Sequence, residues 1–190
     1  MTTPSISEII KSRRATPPRL FVSDAIDKAV IEQLLENANW APNHKKTEPW
    51  RFKIFTGKSR VQLANQCQKI LQKAHDEGYQ VAPEKIEKFY STLQRVPVAM
   101  AIILQRDVAH RLPEWEEIAA VSMAVQNMWL TATEMGLGAF WATPTFMELF
   151  NDVLELEEGQ KLLGFFYVGE ILMEYPSPGR GNIAQKVEWM

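Results

Sequence analysis

Val98 to Leu104 reads Val-Ala-Met-Ala-Ile-Ile-Leu, an unbroken apolar run, and it restricts the fold more than any other segment. Successive side chains of a strand point to opposite faces, so a strand with no polar position must be covered on both. The run therefore belongs at the centre of a sheet with helices on either side, and the flanking sequence supplies them. Ser5-x-x-Glu8 is a capping box for a helix that carries Ile6, Ile9 and Ile10 on one face and ends at Lys11, Arg13 and Arg14. Asp27 opens a second helix, with Ile31, Leu34, Leu35 and Ala38 inward and Ile26 placed to staple against Ile31. It stops near Trp40, because Pro42 disfavours helical backbone at Ala41. Positions 41–49 then read as a polar loop, Trp50 to Thr56 as a strand ended by Gly57, and residues 59–93 as polar helix divided by Gly78 and Pro83.

A long helix is expected from Glu114 to Met135, with Pro113 suited to its first turn, Glu114, Glu116 and Glu117 at its positive end, and Gly136 as its stop. Its middle, Ile118 to Thr133, has no charged side chain and is apolar nearly all round. Ser122, Gln126, Asn127, Thr131 and Thr133 interrupt it, so it falls short of a membrane span of about 20 apolar residues. A chain of 190 residues leaves little room to bury such a helix inside one subunit, and a homodimer interface is the expectation. Ala139 to Ala142 and Gly164 to Gly169 read as further strands, separated by a Thr145-x-x-Glu148 capping box and a helical turn. The tail from Pro176 to Met190 has no apolar period, and Arg180, Val187 and Trp189 suggest that it is tied down, with a partner subunit as the available surface.

Composition narrows the function. With 46% hydrophobic residues the chain suits one core and a single domain over residues 1–190. Six Trp, nine Phe and four Tyr favour a planar ligand. A net charge of -2 and a pI near 6.0 argue against nucleic acid, which calls for a clustered basic excess. Cys67 is the single cysteine, so one chain forms no disulfide, no Cys-x-x-Cys pair and no cysteine zinc cage, and a reducing compartment fits. The start, MTTPSISEIIKSRR, lacks the apolar core of a signal peptide, and a cytoplasmic, non-membrane protein is expected. His44, His75 and His110 are too far apart for a His-Glu-x-x-His zinc helix. There is no Gly-x-Ser-x-Gly elbow, Gly159 to Gly164 continues Phe165-Phe166 where a phosphate loop has Lys-Ser/Thr, and Gly136-x-Gly138 does not complete a dinucleotide fingerprint.

What remains is Ser12-Arg13-Arg14-Ala15, then Ala41-Pro42-Asn43-His44-Lys45-Lys46-Thr47-Glu48-Pro49-Trp50, then Gly136-Leu-Gly-Ala-Phe-Trp141-Ala-Thr-Pro144, then Gly164-Phe-Phe-Tyr-Val-Gly169. In this order and spacing the chain resembles the nitroreductase superfamily over nearly its whole length, above all its short, minimal members. The resemblance implies an α+β fold with a central mixed or antiparallel sheet packed between helices, a homodimer whose C-terminal tail reaches the partner, FMN at the subunit interface, and NADH or NADPH as co-substrate. It implies that Arg13 and Arg14 hold the phosphate and flavin edge, to which guanidinium groups offer planar, charge-assisted bonds. Ala15 stands where a Ser is usual, leaving its N–H or the Thr16 hydroxyl for that contact. Trp40 stands where an arginine is usual, so Lys45, Lys46 or Arg180 must restore the charge, and His44 aligns with a cofactor-contacting position. The backbone of Trp141, Ala142, Thr143 and Pro144 matches the segment facing the ring at N5.

No side-chain acid or base is required, because the hydride chemistry belongs to the flavin. The expected activity is hydride transfer from NAD(P)H to electron-poor acceptors such as nitroaromatics or quinones, in ping-pong order. The readings that compete are a non-enzymatic flavin-storage dimer, another reaction on the same fold (dehalogenation, enoate reduction or flavin destruction), and a cofactor-free helical interaction module.

Overall fold

The apolar run is a central strand in the computed structural model, which describes residues 4–176 and 179–190. Residues 1–3 of the N-terminal stretch and Ser177 and Pro178 of the tail lie outside the described residues. The strands are β1 (Trp50–Thr56), β2 (Val98–Gln105), β3 (Gly138–Ala142) and β4 (Gln160–Gly169), in the order β1-β2-β4-β3. All three pairings are antiparallel, which resolves the mixed-or-antiparallel alternative; among the described residues the one parallel contact is an isolated bridge from Ala15 to Ala139. Every residue from Val98 to Leu104 is fully buried.

The period of two divides the interior. Ala99, Ala101, Ile103, Phe165 and Tyr167 pack with Leu63, Cys67 and Leu71 of α3 (Gly57–Asp76) and with Ile86, Phe89 and Leu93 of α4 (Pro83–Arg95). On the other face Met100, Ile102, Leu104, Phe166 and Val168 pack with Leu34 and Ala38 of α2 (Lys28–Asn39) and with Val121, Ala124, Val125 and Met128 of α5 (Glu114–Glu134). Each Val, Leu, Ile, Met or Phe buried in this way contributes about 1.5–3 kcal/mol by leaving water.

The local signals read from sequence form as expected at most points. α1 (Ile6–Ser12) starts at the Ser5–Glu8 capping box, and the Asp27 carboxylate caps α2 at Ala29 N. Two readings need correction. The Thr145 capping box does not form: the short 3-10 turn Met147–Phe150 begins at Phe146 with no side-chain cap, and the Glu148 carboxylate accepts from Tyr79 Oη at 2.9 Å. β4 starts at Gln160, four positions before the apolar stretch, because Lys161 and Gln160 pair with Leu104 and Gln105. The apolar middle of α5 is covered on its inner face within the chain, where Ala120, Val121, Ala124, Val125, Met128 and Ala132 are buried against the sheet and α2, while Met123 and Gln126 on the outward face stay exposed. Burying that inner face does not by itself call for a second subunit. The tail, by contrast, is exposed throughout residues 179–190.

An ionic cluster anchors the start of α5. Glu117, 1% exposed, accepts from Arg106 Nε at 2.5 Å and from Asp107 N at 2.8 Å. Arg111 in turn grips Asp107 with two bonds of 2.8 Å, holding that carboxyl well below the usual range.

Candidate functional site

The segment after α1 lies along the outer edge of β3. Arg13 ends the helix by donating its N–H to Ile9 O, Ala15 bridges Ala139, and Thr16 N donates to Ala139 O at 3.0 Å. The pairing covers an edge strand that would otherwise expose its backbone. It also fixes where the two arginines project. The Arg13 guanidinium carbon sits 4.7 Å from the centroid of the Trp129 ring on α5, and Trp129 Nε1 donates to Arg14 O at 2.9 Å. Arg14 Nη1 donates to Lys11 O at 2.6 Å and Arg13 O at 2.9 Å. Burial lowers the Arg13 pKa from its ordinary value, and the nearby charges of Arg180 and Arg14 lower it further. None of these three guanidinium groups is in an ion pair among the described residues. Three cations gathered without a carboxylate have the charge and donors to pair with a doubly charged anion such as a phosphate monoester. Thr16 does not offer its hydroxyl there: it is buried, with its Cβ packed at Gly138.

The end of β3 is the second part. A bulge in β4 places Gly164 at φ +137. A Cβ there would come 2.4 Å from Ala142 O and 2.5 Å from Trp141 Nε1, so the missing side chain is what lets the Trp141 indole lie over the strand and donate to Leu163 O at 3.2 Å. Beyond Ala142 the chain leaves the ladder. The N–H groups of Thr143 and Thr145 make no hydrogen bond within the described chain, and Pro144 has none to offer. Backbone donors are therefore free where the sequence places the N5-facing segment.

The third part lies elsewhere. In the loop between α2 and β1, His44 Nδ1 meets Glu116 Oε2 at 2.7 Å, and Lys45 Nζ donates to Arg111 O at 3.1 Å. Lys46 is exposed, and Trp40, 78% exposed, donates to Glu36 at 2.9 Å. Glu116 is in the first turn of α5, whereas Trp129 is near its end, about 20 Å further along at 1.5 Å per residue. One chain thus brings Arg13, Arg14, Ala15 and Arg180 together but leaves Trp40, His44 and Lys46 apart from them.

A cavity of about 770 Å³ adjoins the second part on the α4 side of the sheet. Phe89, Phe140, Phe146 and Tyr167 wall it, the segment Trp141 to Thr145 borders it, and Arg19, Lys85, Lys88 and Arg95 rim it. Sequence reasoning missed this rim and missed Trp129. The rim was detectable: Lys85, Lys88, Thr92 and Arg95 fall at i, i+3, i+7 and i+10, one face of a helix. Trp129 was not, since its indole N–H finds its partner 115 positions away. Among the described residues no group of His, Cys, Asp and Glu is arranged to hold a metal, and no helix is long and apolar enough to cross a membrane.

Residues 10–170 match the family model described as the nitroreductase family. The Bacillus subtilis (strain 168) protein YfhC, named for NAD(P)H nitroreductase activity, is 35% identical over 137 residues, covering 72% of this chain and 68% of that protein. The crystal structure of a nitroreductase-like family protein from Bacillus cereus superposes with a TM-score of 0.84 at 27% identity, covering 100% of this chain and 98% of that one. A Desulfovibrio desulfuricans protein crystallised with FMN has the same fold, with a TM-score of 0.76 at 19% identity and coverage of 100% and 98%.

Proposed function

Because the chain belongs to the nitroreductase family, we propose that it is an NAD(P)H-dependent FMN oxidoreductase that reduces electron-poor acceptors such as nitroaromatics or quinones. The observation that carries this reading is the gathering of Arg13, Arg14 and Arg180 without a carboxylate, on the same edge strand whose far end, four positions on from Ala139, has free backbone donors. The residues fit FMN part by part: the guanidinium groups match its phosphate, and the Thr143 and Thr145 N–H groups match its ring edge. When bound, FMN supplies a ring that takes a hydride from reduced nicotinamide and passes it to an acceptor. The chain's own residues bind and orient. Arg13 is held against the Trp129 ring, and Trp141 is fixed over Gly164. With no Gly-x-Gly-x-x-Gly turn to park a dinucleotide separately, donor and acceptor take turns in one space, and ping-pong kinetics follow.

The active unit in this reading is a homodimer. His44 and Lys46 lie about 20 Å along α5 from Arg13, so one copy does not present both groups to one cofactor. A two-fold axis across α5 sets the first turn of one copy near the last turns of its partner and joins the halves. Ile6 and Ile10 of α1 and Ile183, Val187 and Trp189 of the tail are exposed in the single chain and provide apolar surface for that contact. The buried free thiol of Cys67 suits the cytoplasm.

The test is the absorption spectrum of the purified protein, the identity of any flavin released by heat, and NAD(P)H oxidation with nitrofurazone or menadione. A yellow protein that releases FMN and turns over with parallel double-reciprocal lines supports the reading. Bound FMN without turnover favours the storage dimer, and a protein that stays colourless in added FMN overturns the reading. Sedimentation decides the assembly, since an FMN-bound monomer at micromolar concentration is incompatible with a site divided along α5.

A further inference from the structure

The cavity on the α4 side of β3 has a composition that the functional reading leaves unused. Its volume, about 770 Å³, suits one small organic molecule. Its inner wall is aromatic, from Phe89, Phe140, Phe146 and Tyr167, which suits a flat ring. Its rim carries four cations, Arg19, Lys85, Lys88 and Arg95, and no carboxylate lines it. None of the four is in an ion pair among the described residues; Arg95 Nη1 donates to Arg19 O at 3.3 Å, tying the rim of α4 to the 3-10 turn Pro18–Leu20. In a chain of net charge -2, four cations without an acid around an aromatic pocket set a local field opposite to that of the whole protein. Such a field draws an anion in and orients it with its charge at the rim and its ring inward.

We infer that this cavity binds planar aromatic anions, with a carboxylate at the cationic rim and the ring against the aromatic wall, and that it selects such molecules as acceptors. The binding stands on the cavity alone; the role as acceptor rests on the proposed flavin chemistry, because the segment Trp141 to Thr145 is shared between the cavity and the strand end assigned to the ring.

Two measurements separate these claims. As acceptors, 4-nitrobenzoate and 4-nitrotoluene differ in one charge at similar size. The protein is expected to prefer the benzoate about tenfold or more in kcat/KM at low salt, a preference that shrinks as salt screens the rim. The double variant Arg19→Gln, Lys88→Gln is expected to lose about tenfold of the preference through KM, with kcat for the benzoate retained. Both side chains are exposed and unpaired, so the variant keeps its fold. Independently, calorimetry with 2-naphthoate and the neutral 2-naphthalenemethanol, on protein as purified and without nicotinamide, reads the cavity with no turnover. The naphthoate is expected to bind more tightly than the alcohol and to weaken about tenfold in the double variant. If naphthoate binds in this way but no NAD(P)H is oxidised, the cavity assignment holds and the flavin chemistry fails. If the protein turns over but binds naphthoate no better than the alcohol, or the double variant binds it equally well, the cavity assignment is overturned.

Discussion

Replacing Arg13 with Ala probes the proposed phosphate receptor most directly. In the folded chain the Arg13 guanidinium is half-buried over Trp129 and is repelled by Arg180 and Arg14. Deletion removes a cation–π contact of about 0.5–1 kcal/mol and also removes the repulsion and the burial cost that lower its pKa. These effects oppose one another, so the cofactor-free protein is expected to change in stability by less than about 1 kcal/mol. Binding changes more, because a charge-assisted hydrogen bond contributes about 1.5–3 kcal/mol, equivalent to roughly ten- to a hundredfold in FMN affinity. Riboflavin lacks the phosphate and is the internal control. Quenching of flavin fluorescence on titration gives both affinities; FMN is expected to weaken ten- to a hundredfold in the variant and riboflavin hardly at all. Arg13→Lys keeps the charge but not the planar fork and should fall between. Equal weakening of FMN and riboflavin by Arg13→Ala would refute the phosphate assignment.

Gly164→Ala forces a Cβ to within 2.4 Å of Ala142 O at a φ of +137; strain and displacement of Trp141 together should cost about 3 kcal/mol or more, read as a lowered urea midpoint. Glu117→Ala leaves Arg106 Nε and the Asp107 N–H without their buried acceptor, and a loss of about 3 kcal/mol is expected in the same assay, against a few tenths for Glu158→Ala on the surface. Burial pushes the Cys67 thiol up to about 12, so above a pH of about 9 the unfolded chain gives up this proton while the folded chain keeps it. Stability should therefore fall as pH rises between about 9 and 12, by about 1.4 kcal/mol per unit at most from this group. Burial raises the Tyr167 phenol as well, adding to the decline above about pH 10. Cys67→Ala should flatten the slope between pH 9 and 10, and identical slopes in the two proteins would exclude the thiol as its source.

The elements legible in the sequence are those whose causes are local. The Ser5–Glu8 box and the Asp27 cap act within one helical turn, and β2 announces itself because burial on both faces leaves no polar position. What failed was decided at a distance. Glu148 is taken by Tyr79, 69 positions away, so the Thr145 box loses its acidic member. Gln160 and Lys161 are polar yet begin a strand because they continue the β2 ladder, with Gln160 Nε2 donating to Gln105 Oε1 at 2.9 Å. Apolarity all round in α5 says only that something covers it: in this chain the sheet and α2 cover the inner side, and Met123 and Gln126 remain exposed on the outer one. The site follows the same division. Arg13 and Arg14 stood out as a helix end, whereas the side chain that holds Arg13 in place, Trp129, is set by packing and carries no local signal.

The loop from Ala41 to Pro49 bears on the divided site through its backbone. Lys45, Lys46 and Glu48 all have positive φ, at 54, 54 and 43 degrees, a region that costs a residue with a Cβ about 1–2 kcal/mol. Three such residues in one short loop persist only if the surroundings hold them. The bonds that do so are visible: Asn43 Oδ1 accepts from Glu48 N at 3.1 Å, His44 is tied to Glu116, and Lys45 to Arg111 O. These contacts position the loop but do not explain its strain, since a relaxed turn would join Trp40 to Trp50 as well. Strain maintained in this way is characteristic of segments shaped to meet a ligand or another chain. His44, Lys45 and Lys46 are exposed in the single chain, at the end of α5 opposite the arginines. In the proposed dimer, contact with a partner subunit's cofactor would account for both the strained shape of the loop and its distance from Arg13.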